Sequence, residues 1–242
     1  MTIIVCLAVF TLLSYFLSDY IKKYNKYIYL GCTSVSIVSI IHAILILNGY
    51  SIEYAPVVKQ VMKSIDTGAV GGALFILVMY MGVMDMKYKV SKNLRRNRAE
   101  LSIIASIFTI PHNTHYFFAF LLNSRNIVAG SGLSLWTNLM MFASGVFAIS
   151  IMLPLFVTSF MYFRKKMKAK KWKSLQEFAY IFYAMVYIQV MMLYISRPDG
   201  WEKTLNLVVY SLIFLSYTGL KVKAKIEKSM VSKKEIGKVV SM

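Results

Sequence analysis

The sequence predicts an all-α fold, a polytopic membrane helical bundle of about seven transmembrane helices. Three observations carry that prediction. Of the 242 residues, 58% are hydrophobic; apolar runs recur at or near the ~18 residues that a bilayer-spanning helix needs; and the cations gather in alternate connectors. The segments between the runs are too short to hold a folded soluble module, so one helical membrane domain is expected.

A formal net charge of +18 would point to nucleic acid in a soluble protein, but its placement here gives it another meaning. Of the 28 Lys and Arg residues, all but Lys59, Lys63, Arg125, Arg197 and Lys203 fall on one set of alternating loops and the C-terminal tail. The positive-inside rule makes that face cytoplasmic, with the N-terminus outside and the C-terminus inside the cell membrane. The charge then sets topology and attracts anionic headgroups of the lipid bilayer. No nucleic-acid partner is expected. Cys6 and Cys32 lie in separate apolar segments without CxxC spacing, so no redox-active cysteine is expected.

Met1 to Leu17 lacks the basic n-region and cleavage site of a secretory signal and reads as an uncleaved first span. Lys22, Lys23 and Lys26 follow it, and Tyr27 to Leu47 is the second span, with His42 in its outer half. The outer loop carries VVKQVMKSI, which suits a short interfacial helix. Gly68 to Met84 returns inward, its glycines permitting close helix contact. Behind the basic hinge at Arg95, Arg96 and Arg98, Leu101 to Leu122 forms the fourth span, where Pro111 should bend the helix beside His112. Leu135 to Phe163, Phe178 to Ile195 and Leu205 to Leu220 complete the set, with a turn at Pro198-Asp199-Gly200 before the last. The expected organisation is an additional N-terminal segment over 1–26, a bundle over 27–220 and a basic tail over 221–242.

Histidine is expensive inside a bilayer, so His42, His112 and His115 are functional suspects. His112 and His115 are three apart and share a helix face. By helical rise they lie ~17 and ~21 Å from the inner end of their span, near the depth of His42. Three readings stand side by side: histidines bonded to Ser, Thr or carbonyl groups of neighbouring helices; axial ligands of a b-type haem, which takes a nitrogen on each side of the iron; or a metal or proton path. A catalytic zinc is not expected, since neither HExxH nor a carboxylate cluster accompanies them. The tyrosines near loop ends suit interfacial anchors and the methionines suit core filling. No glycine-rich nucleotide loop is present, so any flavin or nicotinamide belongs to a partner.

The stretches SIIHAIL, APVVKQVMKSIDTGAVGGALFILV, LRRNRAELSIIA, TIPHNTHY and AKKWKSLQEFAYIFYAMVYIQVMML resemble the ferric reductase-like transmembrane family, most of all the haem-binding membrane subunits of bacterial methionine sulfoxide reductase systems. The resemblance covers roughly Ser36 to Tyr217 and implies a six-helix core to which the first span is an addition. It also implies electron transfer in a bacterial inner membrane, an oxidoreductase subunit in which haem b passes electrons from quinol, or from an FMN-bearing reductase, to a redox partner protein.

On this resemblance His112 falls on the family's fourth-span haem ligand, and His42 matches a histidine seen in relatives. The two sixth-span histidines, thirteen apart, fall on Gln176 and Gln189, whose amides are poor iron ligands. Three outcomes follow. His42 can face His112 or His115 and hold a displaced haem; a single histidine can hold a haem with Gln189 opposite; or the fold has lost haem and keeps its glutamines as interhelical hydrogen bonders. Arg95, Arg96 and Arg98 are either cytoplasmic anchors or neutralise haem propionates. A haem-free scaffold and a small-solute permease are the rival readings.

Overall fold

The computed structural model describes residues 2–50, 52–129 and 132–240, and all regular structure among them is helical. Twelve helices follow in order: α1 (Thr2–Phe16), α2 (Ser18–Lys23), α3 (Asn25–Leu47), α4 (Pro56–Asp66), α5 (Ala69–Met81), α6 (Lys89–Arg96), α7 (Arg98–Leu122), α8 (Ser124–Ala129), α9 (Gly132–Ser159), α10 (Met161–Lys166), α11 (Ala169–Ile195) and α12 (Trp201–Val240). Of the segments expected to span, α3, α9, α11 and the stretch Trp201–Glu227 of α12 are long and apolar enough to cross a membrane by themselves. Helices α4 and α5 qualify only as a pair bent by 60°. At 15 residues α1 is short, and the polar PHNTH sequence dilutes the apolar run of α7. The fold is therefore an all-α polytopic membrane bundle with four such spans, or five when the bent pair counts as one.

Helix α5 is the centre of the bundle because its residues are small or apolar on every side. Ala73, Leu74, Met79 and Met81 are fully buried, and α5 packs on both α1 and α7. Gly71 explains the close approach to α7, since a Cβ there would stand 2.3 Å from the Thr109 hydroxyl. Ile3 of α1 joins Ala73 and Ile76 in one apolar cluster, so the N-terminal helix is packed into the core. A second cluster joins Met79 to Ala148 and Met152 of α9, Phe182 and Tyr183 of α11, and Phe214 and Tyr217 of α12.

Hydroxyl groups stitch the helices where lipid supplies no hydrophobic drive for association. The Tyr80 hydroxyl donates to the Ile213 carbonyl at 2.7 Å, and Ser102 meets Ser159 at 3.1 Å. Proline at 111 cannot donate to the Ile107 carbonyl four residues earlier. Ser36 of α3 donates its hydroxyl to that orphaned oxygen at 3.2 Å, and α7 remains one helix through Pro111. The last helix continues past Leu220 into the basic segment, whose lysines are good helix formers; the side chains of Lys228, Lys233, Lys234 and Lys238 lie outside the described residues.

On the basic face, α2, α6 and α7 meet around fully buried Asn97. Its amide donates to the Ser18 hydroxyl at 2.9 Å, Arg96 pairs with Asp19, and Lys22 reaches Glu100 at 3.5 Å. Arg98 donates through Nε to the Val78 carbonyl at 3.2 Å. Arg96 and Arg98 thus act as anchors of this corner.

Candidate functional site

The corner between α4 and α5 is where the candidate residues gather. Gly68 turns the chain there with φ of +75°, a left-handed conformation that glycine adopts at no steric cost. The absent side chain has a second consequence: a Cβ at Gly68 would lie 2.9 to 3.0 Å from the His112 imidazole. The ring of α7 therefore nests directly against the corner.

Asp66 closes α4 two residues earlier and is touched from two helices. From α3, the Ser39 hydroxyl donates to Asp66 Oδ1 at 2.6 Å, and His42 Nδ1 stands 3.3 Å from Oδ2. That distance suits an ion pair, but the N–H direction does not satisfy a hydrogen bond, and His42 Nδ1 is otherwise buried without a partner. The contact is therefore best treated as electrostatic. From α7, His112 Nδ1 stands 2.9 Å from the Asp66 backbone carbonyl.

A carbonyl only accepts, so this hydrogen bond places the His112 proton on Nδ1 and leaves the Nε2 lone pair free. Metal-ligating histidines commonly hold their second nitrogen in this way, by donating it to a carbonyl or carboxylate. The donor chemistry fits an iron held on one imidazole, as in haem proteins with a single proximal histidine. Among the described residues, no three His, Cys, Asp or Glu side chains cluster as a metal site of protein ligands alone.

Aromatic rings surround the histidines. Tyr116 lies between His112 and His115, with ring centroids at 4.7 and 5.3 Å respectively, and Tyr54 covers His42 at 5.3 Å. His115 Nδ1 is buried without a hydrogen-bond partner. The structure thus joins His42 and His112 through Asp66, and His115 to them through Tyr116.

The two glutamines lie elsewhere, on α11, which packs against α9 and α12. Gln189 Nε2 sits where a Cβ on Gly145 of α9 would be 3.1 Å away, and Gln176 Nε2 is buried without a partner. No hydrogen bond links either glutamine to a histidine among the described residues.

Sequence reasoning missed Asp66, Ser39 and Gly68 as parts of the site. The signal for Asp66 is its position, directly ahead of the apolar run TGAVGGALFILV. An acidic side chain at the edge of a span needs a partner, and two histidines lie at a matching depth.

Comparison with known proteins matches residues 67–187 to the model of the ferric reductase like transmembrane component. The match contains His112 and Gln176 and stops two residues short of Gln189. A protein of Treponema pallidum (strain Nichols), named only as an uncharacterized protein, is 28% identical over 215 residues. That alignment covers 86% of this chain and 56% of the relative, so the chain spans about half the length of the relative it matches. No solved structure matches. Matched over half its length, from the α4–α5 corner into the second half of α11, the chain belongs to the ferric reductase-like transmembrane family.

Proposed function

We propose that this chain is a membrane electron-transfer component carrying one b-type haem on His112. The observation that carries the reading is the hydrogen bond from His112 Nδ1 to the Asp66 carbonyl, which leaves Nε2 as the ligand atom at the family's fourth-span position. When bound, the haem supplies a one-electron carrier. The chain's own residues set the donor: the Asp66 carbonyl fixes the tautomer, Gly68 gives the ring room, and Tyr116 packs beside it at a tilt.

His42 is assigned to the support of Asp66 and not to the iron. Two axial imidazoles stand on opposite faces of a porphyrin, whereas the Nδ1 atoms of His42 and His112 both contact one residue. The amides at 176 and 189 are weaker iron donors than imidazole, so His112 is the residue that would hold the group. His115 lines the same region without ligating.

Electrons come from quinol or from an FMN-bearing partner, and leave to a redox partner protein; the chain itself offers no nucleotide-binding lobe among its described residues. The basic face is cytoplasmic in this reading. Protease added outside right-side-out vesicles is expected to spare the Lys165–Lys171 connector, and cleavage there would reverse the orientation.

The deciding experiment is a reduced-minus-oxidised optical spectrum of protein purified after expression with added haem, with haem quantified as its pyridine complex. About one b haem per chain, lost in His112→Ala but kept in His42→Ala, supports the proposal. Haem-free folded protein would replace it with the scaffold or permease reading, and an unchanged His112→Ala spectrum would remove His112 from the iron.

A further inference from the structure

A groove of about 540 Å³ runs between α3, α7 and the α9–α10 junction, from Lys26 near the start of α3 to Ile40, two residues short of His42. One stripe of α3 forms a wall: Lys26, Tyr29, Leu30, Thr33, Ile37 and Ile40 follow the three- and four-residue spacing of a single helix face. From Lys26 to Ile40 the stripe rises ~21 Å, more than the ~15 Å half-thickness of a bilayer's hydrocarbon core. Ile107 and Ile110 of α7 line its deep end, and Phe156 and Phe160 lie near its basic-side mouth.

The mouth exists because the chain departs there. Helix α9 ends at Ser159, and Phe160 adopts extended dihedrals of φ −70° and ψ 134° before α10 begins. The Phe160 ring then meets Tyr29 edge-on at 6.1 Å. The polar groups divide sharply along the groove. Its one deep hydroxyl, that of Ser36, is already given to the Ile107 carbonyl, so the inner part offers apolar surface. Lys26 at the mouth is exposed and pairs with no carboxylate among the described residues.

We infer that this groove binds one anionic phospholipid of the leaflet on the basic side, with its phosphate on Lys26 and an acyl chain along the α3 stripe. A long apolar channel ending in a single free cation at headgroup depth is complementary to that amphiphile. A zwitterionic headgroup would offer the same phosphate but bring its own ammonium beside Lys26, so net charge favours the anionic lipid. The headgroup end at Lys26 lies far along α3 from His42, and none of the histidines lines the groove, so the inference stands whether or not haem is bound.

Native mass spectrometry of the full-length protein, released from detergent containing equal amounts of phosphatidylglycerol and phosphatidylcholine, tests it. One phosphatidylglycerol per chain is expected to survive release, with phosphatidylcholine absent. Lys26→Ala should weaken retention about fivefold, the effect of one cation at an anionic surface, while Lys23→Ala, outside the groove, should change it less than twofold. Thr33→Trp, which fills the groove from an exposed position, should abolish retention while circular dichroism stays helical. Equal retention of both lipids, an unchanged Lys26→Ala variant, or a neutral quinone retained in place of phospholipid would overturn the assignment.

Discussion

The backbone carbonyl of Asp66 accepts the Nδ1 proton of His112 across 2.9 Å. The last residue of α4 thereby sets the chemical state of a ring on a helix 46 positions later. The Asp66 side chain is held in turn by Ser39 and His42 of a third helix, so three separate segments define one imidazole.

Substitution at Gly68 should act on His112 before it acts on the bundle. Gly68→Ala forces a side chain into left-handed backbone and onto the imidazole at 2.9 to 3.0 Å. We expect a loss of about 1–3 kcal/mol in stability, the usual range for overpacking. A shifted or lost haem spectrum should accompany it. Thermal unfolding followed by circular dichroism, with optical spectra on the same sample, measures both; a wild-type spectrum would mean that the ring tolerates displacement.

Asp66→Ala removes the Ser39 hydrogen bond and the His42 contact together but keeps the backbone carbonyl. Hydrogen bonds to charged groups contribute about 1.5–3 kcal/mol, so a destabilisation in that range is expected. Asp66→Asn should recover part of it, because an amide oxygen still accepts from Ser39. Equal unfolding temperatures for the two variants would show that the hydroxyl bond contributes little.

At the basic corner, burial decides which polar contact matters. Asn97 is fully buried and bonded to Ser18, while the Lys22 side chain in the Glu100 pair is 51% exposed. Asn97→Ala should cost about 1–3 kcal/mol by removing its hydrogen bond to Ser18 and leaving a cavity at a fully buried position, and Lys22→Ala at most about 1 kcal/mol. Denaturation of both variants in the same detergent checks the order, which a larger Lys22 effect would reverse.

From the first turn of α12, Lys203 donates to Asp199 in the preceding loop at 2.8 Å, and this hydrogen bond holds the Asp199 carboxyl below its ordinary value. The pair is thus complete at neutral pH and is lost only as pH falls through that lowered value. Carboxyl-carbon NMR of labelled Asp199 should show the depressed titration, and Lys203→Met should return it to the ordinary range. Asp199 is fully exposed, so global stability should not follow this titration.

The organisation of the chain was legible because its signals are local. Apolar runs, alternating cation-rich connectors and the VVKQVMKSI stretch each report on a few neighbouring residues, and the structure returns a helix at every expected span as well as α4 at the interfacial segment. The number of those helices that cross a membrane was less legible, because the 60° corner divides one span and the polar PHNTH sequence weakens another.

The sequence by itself determined a helical membrane protein with one basic face, and it marked His42, His112 and His115 as the residues whose burial needs a reason. Hydropathy and charge act through solvent and lipid, and each residue carries them regardless of its neighbours. Only the tertiary structure decided that Asp66 stands between His42 and His112, that Gly68 makes room for the imidazole, and that Ser36 satisfies the carbonyl Pro111 leaves open. Those relationships join residues from 24 positions apart, His42 and Asp66, to 71, Ser36 and Ile107. They depend on which helices pack together and at what height, and short-range distances of about 3 Å follow from that packing rather than from composition or spacing along the chain.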